Sequence, residues 1–460
     1  MERTKAKYDL PKRVLLLLLV TFVVIIFAAA IKINEVMIVA IPIIVLIGVL
    51  FIKTPEIGFS VFLVGQNILV VPFMILNIDK VMLIYPLMSI ILILTFGLTL
   101  LYKRFDAPHR FSSIQLFVFL IALIFLFNIP RSEITTYTIS KTILFISVCI
   151  IPFIVLHFWG YKTDFFEKSI DYAIILGIIP IMVSFIMLIR SGYSSQYARF
   201  NALDINVNQY ARNMGFISIL AFYKIFKTNK NIYKLLLILF IAISLLFIIL
   251  TGSRSAFLAS LAAIFFYLFA YTNIKTSKKI IVLIVLLIPI LIFAIMGIGS
   301  MFNRLGSLQY VDMSLTGRVG MWQAVWEQKF DKIIFGHGTG NYFEILPAWA
   351  KAANLSHLHN VIIEYYVEWG LVGLMCYLLL LASCFKICYE FIKKKRKDTV
   401  HFNKLGGLST VLFVYTLLLA MVVTSSTDHL FFISIGLMSS IYIAHKEKDA
   451  YRDGSIGSSA

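Results

Sequence analysis

In the stretch HLHNVIIEYYVEWGLVG, His359 and Asn360 stand directly before an apolar run, and Asn360, Glu364 and Glu368 then recur at i, i+4 and i+8. On a helix those three residues share one face. A histidine at such a helix start offers a neutral imidazole near neutral pH, which is what a general base requires. Two carboxylates within the first turns of a membrane helix need partners, and arginines between other apolar runs are the obvious ones. The candidates are Arg254 in TGSRS, Arg318 in TGRVGMW and Arg199 in SSQYARFN. An ionisable group at membrane depth is a functional-site candidate by default, set against the plainer reading of an arginine snorkelling to lipid phosphates. For Arg190, Arg212 and Arg304 the plainer reading is preferred. His357 and His359 raise the question of zinc, yet the pair alone is weak evidence and no third ligand is evident nearby. A structural hydrogen bond is the other alternative for these histidines. GHGTGN (336–341) resembles a phosphate-cradling loop, but no Walker lysine or strand-to-helix context accompanies it, so it reads as a tight turn with Asn341 capping.

These residues must be positioned by the elements around them. The segment 299–360 is the long stretch of the chain that is not overwhelmingly apolar, and it lies between two apolar runs. Connections of this length are usually functional or disordered. Trp322, Trp326, Phe330, Phe335, Tyr342, Phe343 and Trp349 give this one enough large apolar surface to pack, which argues against disorder. Hydrophobic residues make up 60% of the chain, charged residues only 14%, and mean hydropathy is +0.92, well outside the range of a soluble domain. The reading is an all-α fold, a polytopic integral membrane helix bundle. Fourteen apolar runs are long enough to cross a bilayer. They lie near 14–31, 36–52, 58–77, 81–101, 112–129, 142–159, 169–189, 209–226, 232–250, 255–271, 279–297, 361–387, 405–423 and 429–445. The first reads as a retained helix rather than a signal peptide, because its apolar stretch is long and further spans follow.

The net charge of +18 comes from basic residues in short loops, which favours a topology signal over a nucleic-acid partner. Most of the 41 lysines and arginines fall on one side if the N-terminus is cytoplasmic and every run crosses, with KTNKNIYK, KKKRK and HKEK as the strongest inner anchors. The 299–360 loop is then extracytoplasmic, after about eleven N-terminal spans (1–298) and before the C-terminal spans (361–447) and a cytoplasmic tail (448–460). The cysteines Cys149, Cys376, Cys384 and Cys388 have neither zinc nor disulfide spacing and read as packing residues.

Gly-Arg-x-x-x-Trp (317–322), the glycine turn (336–341), His-Asn (359–360) followed by Gly-Leu-Val-Gly, and Gly-Ser-Arg-Ser (252–255) together carry a resemblance. Over about residues 190–375 the chain resembles the bacterial O-antigen ligase and O-antigen polymerase superfamily. Twelve spans are usual in the ligases, so twelve to fourteen are expected here. The resemblance implies a metal-independent glycosyltransferase with no cofactor, embedded in the bacterial cytoplasmic membrane and working on its outer face. Its donor would be an oligosaccharide on undecaprenyl pyrophosphate and its acceptor a glycan hydroxyl. Matched residue by residue, Arg254 and Arg318, with Arg199 as a third, would hold the pyrophosphate, and His359 would be the base. Asn360 and Glu364 would orient the acceptor, and loop aromatics such as Trp322 would offer stacking faces. Polymerase is the favoured activity and ligase the alternative, with a chain-length regulator or flippase open as partners. A transporter of the same lipid-linked sugars is the third reading, disfavoured because no duplicated halves are visible.

Overall fold

The computed structural model describes residues 54–75, 111–132, 136–159, 163–190, 206–272, 332–341, 358–394, 400–422 and 427–452, with shorter pieces at 92–93, 97, 200, 275–277, 279–280, 282, 284, 319–323 and 325–327. Among the described residues there is no strand, and the protein is a bundle of apolar helices. In chain order they are α1 (Pro55–Ile75), α2 (Ser113–Asn128), α3 (Thr136–Leu144), a π-helical turn (Phe145–Ile150), α4 (Ile151–Trp159), α5 (Thr163–Leu176) and α6 (Ile178–Arg190). Then follow α7 (Val207–Ile225), α8 (Asn231–Leu250), α9 (Arg254–Tyr271), α10 (Val361–Lys394), α11 (Val400–Ala420) and α12 (His429–Arg452). Five stretches among the described residues are long and apolar enough to span a membrane: Thr138–Phe158, Asp164–Arg190, Asn231–Leu250, Arg254–Tyr271 and Val361–Lys393. The runs expected near 14–31 and 36–52 lie outside the described residues, and those near 81–101 and 279–297 lie mostly outside them. α12 continues to Arg452, past the boundary expected at 447.

Local sequence explains several helix starts. Ser112 opens α2 with a reciprocal capping box, in which Gln115 N–H donates to Ser112 Oγ (3.3 Å) and Ser112 N–H donates to Gln115 Oε1 (2.8 Å). Asn206 caps α7 by accepting from Asn208 N–H at 2.9 Å. α7 is buried on every side from Tyr210 to Lys224, as a helix at the centre of a bundle must be, and it packs against α1, α5, α8, α9 and α11.

The helices run up and down, so the polar residues collect at two ends. At one end Lys224 bonds Glu167 and Asp171, both at 2.9 Å, and Lys227 bonds Glu167 at 3.0 Å. The opposite end holds Lys141, Arg254, His359, Glu364 and Glu368, together with a buried ion pair between Arg212 and Asp428 at 2.9 Å. Arg212 therefore does not snorkel to lipid. A salt bridge to the residue that opens α12 holds it inside the protein, where Asp428 also accepts from Leu430 N–H at 2.8 Å.

Candidate active site

α10 is a broken helix. At Gly370 the backbone leaves helical geometry (φ 65°, ψ −159°), so the hydrogen bonds from residues 371 and 372 back to 367 and 368 are lost. The glycine-turn segment replaces them. His337 and Gly338 N–H donate to the carbonyls of Val367 and Glu368, both at 2.9 Å, while Leu371 and Val372 N–H donate to Ile333 and Ile334 at 2.8 and 3.2 Å. Four buried backbone groups are thereby satisfied, which is the condition for non-helical backbone at membrane depth.

This docking explains the glycines of GHGTGN. Gly336 has φ 67°, and a Cβ there would meet the backbone of Glu368 and lie 2.5 Å from Trp369 N. Thr339 Oγ1, fully buried, accepts from Trp369 Nε1–H at 3.0 Å, and Trp369 packs edge-on to Phe125 and Phe145. The sequence expectation of a tight turn is correct in shape, and the turn's partner is the break in α10. Asn341 is buried and donates from Nδ2 to His337 O at 3.0 Å, so its side chain is committed to the turn.

The half of α10 that precedes the break begins beside His359. Asn360 is its N-cap: Oδ1 accepts from Ile362 N–H (3.0 Å) and Ile363 N–H (3.3 Å). Asn360→Ala is expected to cost about 1 kcal/mol. A lower thermal midpoint of the purified protein would show it, with Asn360→Asp close to wild type because an accepting oxygen remains. Equal midpoints for all three proteins would refute the capping role. His359 itself has φ 52°, the left-handed region that few residues other than glycine adopt. Strained positions of this kind concentrate at functional sites, and His359 is half-buried rather than sealed in the core.

The preceding loop is tied to the same point. Trp322 Nε1–H donates to Leu358 O at 2.7 Å, and Met321 and Val325 cluster with Leu358 and Val367. Trp326 lies 5.8 Å from Tyr366, ring to ring. Trp322 of the Gly-Arg-x-x-x-Trp motif and Trp326 just beyond it thus meet the start of α10. Arg318, Arg199 and His357 lie outside the described residues.

Among the described residues, Glu364 and Glu368 pair with a lysine, and Arg254, the one described arginine of the three expected, forms no ion pair with them. Each places its Oε1 on the same ammonium, that of Lys141 on α3, at 2.5 and 2.6 Å, and all three side chains are buried. The reason is proximity: α10 packs across α2, the helix that precedes α3, whereas Arg254 sits on α9, a separate helix. Lys141 was missed because nothing in its local sequence marks it. The available signal was a lysine at the start of the run near 142–159, on the side where the positive-inside rule leaves few cations.

Arg254 starts α9 after Gly252 (φ 67°) and Ser253. Its guanidinium is half-buried and forms no hydrogen bond or ion pair among the described residues. Ser253, at the N-cap, is 4% exposed, makes no capping bond, and leaves its hydroxyl without a partner among the described residues. A helix N-terminus, an unsatisfied hydroxyl and a guanidinium are together the chemistry that attracts an anion, although the Ser253 and Arg254 N–H groups are themselves bonded to Thr251 Oγ1 and Gly252 O.

A family model described as O-antigen ligase matches residues 238–378. Over 242 residues the chain is 25% identical to the teichuronic acid biosynthesis protein TuaE of Bacillus subtilis, which covers 49% of this chain and 48% of that protein. Over 243 residues it is 26% identical to an uncharacterized protein of Haemophilus influenzae, covering 47% of this chain and 59% of that one. The chain thus spans about half the length of the curated relatives it matches. The family match takes in Arg254, Arg318, Trp322, the glycine turn, His359, Asn360, Glu364 and Glu368, whereas Arg199 and Lys141 precede it. Residues 238–378 are thus similar to the O-antigen ligase family, and this segment carries the chain's likeness to the O-antigen ligase and polymerase superfamily.

Proposed function

We propose that the protein is a membrane glycosyltransferase that joins repeat units carried on undecaprenyl pyrophosphate into a surface polysaccharide, on the outer face of the bacterial cytoplasmic membrane. The observation that carries this reading is the N-terminus of α9. There Arg254 and the Ser253 hydroxyl have no partner among the described residues and are free to take an anion. The departing pyrophosphate is such an anion, and its charge grows in the transition state. Forked guanidinium donors and oriented N–H groups stabilise that charge best where water is scarce.

Arg318 and Arg199 join Arg254 around the pyrophosphate in this reading. His359 removes the proton of the acceptor hydroxyl as that oxygen attacks the anomeric carbon and the bond to the pyrophosphate breaks. Asn360 spends its Oδ1 on the helix cap and leaves its amide hydrogens uncommitted among the described residues, available to the acceptor. Glu364 orients through the first half of α10 rather than by direct contact, and the ring of Trp322 offers a stacking face. No cofactor or metal takes part. A relative named for teichuronic acid biosynthesis supports polymer assembly, and the family's own description favours the second reading, a ligase that moves finished glycan to a final acceptor.

The test is polymer production in cells lacking the gene, complemented by wild type, His359→Ala, Arg254→Ala or Arg318→Ala, with membrane abundance matched. The expected result for all three variants is single, unpolymerised repeat units on the lipid carrier. Finished polymer left on the carrier would establish the ligase instead. Wild-type behaviour of the variants would remove this site from the reaction.

A further inference from the structure

The break at Gly370 has a mechanical consequence for the residues beyond it. A continuous helix carries the position of its first turn down to its last through unbroken hydrogen bonds, and α10 lacks this link between 367–368 and 371–372. Its first half, Val361–Trp369, is a separate short rod with His359 and Asn360 at its tip. That rod must be held by contacts with other elements.

Two of its holds lie at its lower end. They are the backbone bonds to His337 and Gly338 and the Trp369 indole on Thr339. Along its length Lys141 supplies an ionic hold. The ammonium reaches residues 364 and 368, two successive turns on one face, and its bonds to both are among the shortest polar contacts at this end of the bundle. A cation bridging two turns fixes the rod's rotation about its own axis as well as its distance from α3. Rotation decides where the residues just before the rod point. Lys141 sits at the last turn of α3, immediately before the π-helical turn Phe145–Ile150, a rare geometry often found at functional sites. Phe145 of that turn packs on Trp369, so the same strand of chain touches the rod at both ends.

We propose that Lys141 is a positioning residue: by clamping Glu364 and Glu368 it sets the rotation of the first half of α10 and so aims His359 at the acceptor hydroxyl. The proposal rests on the reading of His359 as the base. It extends the site beyond the family-matched segment, to a lysine 218 positions before His359 in the chain. Lys141 touches neither substrate in this account. Its removal acts on turnover, whereas donor binding at α9 is left in place.

The experiment uses the full-length protein reconstituted in nanodiscs, comparing wild type, Lys141→Met and Lys141→Arg. The first readout, amide hydrogen exchange, needs no activity. In Lys141→Met, exchange across 358–369 is expected to quicken about tenfold or more while α7, α11 and α12 keep wild-type rates, and Lys141→Arg is expected to restore protection. The second readout is steady-state transfer from a lipid-linked donor. For Lys141→Met kcat is expected to fall about 10- to 100-fold, the usual result of displacing a reacting group by about 1 Å. The donor KM is expected to stay within about twofold, because Arg254 and Ser253 belong to another helix.

Unchanged exchange at 358–369 overturns the proposal, and so does faster exchange spread evenly over the bundle, which marks a merely structural lysine. Should Lys141→Met fail to accumulate, the variant Lys141→Met with Glu364→Gln and Glu368→Gln leaves no unbalanced charge. It should show the same local acceleration, and wild-type protection in it also overturns the proposal. Local acceleration in a protein whose wild type transfers no sugar would sustain the clamp and sink the proposed function.

Discussion

His359→Asn is expected to lower the turnover of a lipid-linked donor by about 10²- to 10⁴-fold, the span over which general base catalysis operates. Asparagine is the informative replacement. His359 holds φ 52°, and asparagine enters that region more readily than most residues, so the variant removes the imidazole with little backbone penalty. His359→Ala removes the base too, but it keeps a Cβ in the left-handed region, a cost that histidine already carries, and lacks the preference for that region that asparagine and histidine share. Agreement between the two variants therefore assigns the effect to the missing imidazole. If both are equally inactive while His359→Asn keeps the wild-type thermal midpoint, the imidazole carries the effect. The measurement is transfer rate against donor concentration in reconstituted membranes. A His359→Asn protein within a few-fold of wild type would show that His359 is not the base.

Gly370→Ala is expected to be the most damaging single-methyl substitution at this end of the bundle. The residue sits at φ 65°, ψ −159°, a region populated essentially by glycine, and holding another residue there costs of order 1–3 kcal/mol. Space is lacking as well: a Cβ at 370 would meet the Ile334 carbonyl and stand 2.6 Å from Gly336 N. Relief requires the glycine-turn segment to back away. That breaks the four hydrogen bonds joining 333–338 to 367–372 and leaves buried N–H and C=O groups unsatisfied, each at about 1–3 kcal/mol. Against a native stability of about 5–15 kcal/mol, the sum removes most of the margin. The observable is the yield of monodisperse protein and its thermal midpoint in detergent. Gly370→Ala at wild-type yield and midpoint would show that the break in α10 is not needed for folding.

Part of the site is legible in the chain because it is local. The spacing of Asn360, Glu364 and Glu368 puts them on one face, and the structure places both glutamates on a single cation. Asn360 precedes an apolar run with the chemistry of a cap, and it caps. The glycines at 336, 338 and 340 announce positive φ angles, and all three have them. The same spacing says that two buried carboxylates need a cation and is silent on which one. Arginines at the ends of other runs were the reasonable choice, and among the described residues it is Lys141, more than 220 residues away in sequence, that takes both carboxylates. Arg212 likewise looked like a lipid-facing cation until Asp428 was brought beside it.

Composition and hydrophobic run length by themselves determined a multi-pass helical membrane protein, because an apolar segment in lipid must satisfy its backbone within its own helix. Motif spacing determined the segment that carries the family likeness. Only the tertiary structure decided that α10 is broken and spliced to the glycine turn, that Lys141 clamps its first half, and that the side chains of Ser253 and Arg254 open α9 without a partner among the described residues. The physical reason is range. Helix periodicity fixes neighbours three or four residues apart, whereas the choice of which helices meet is made by the packing of the whole bundle.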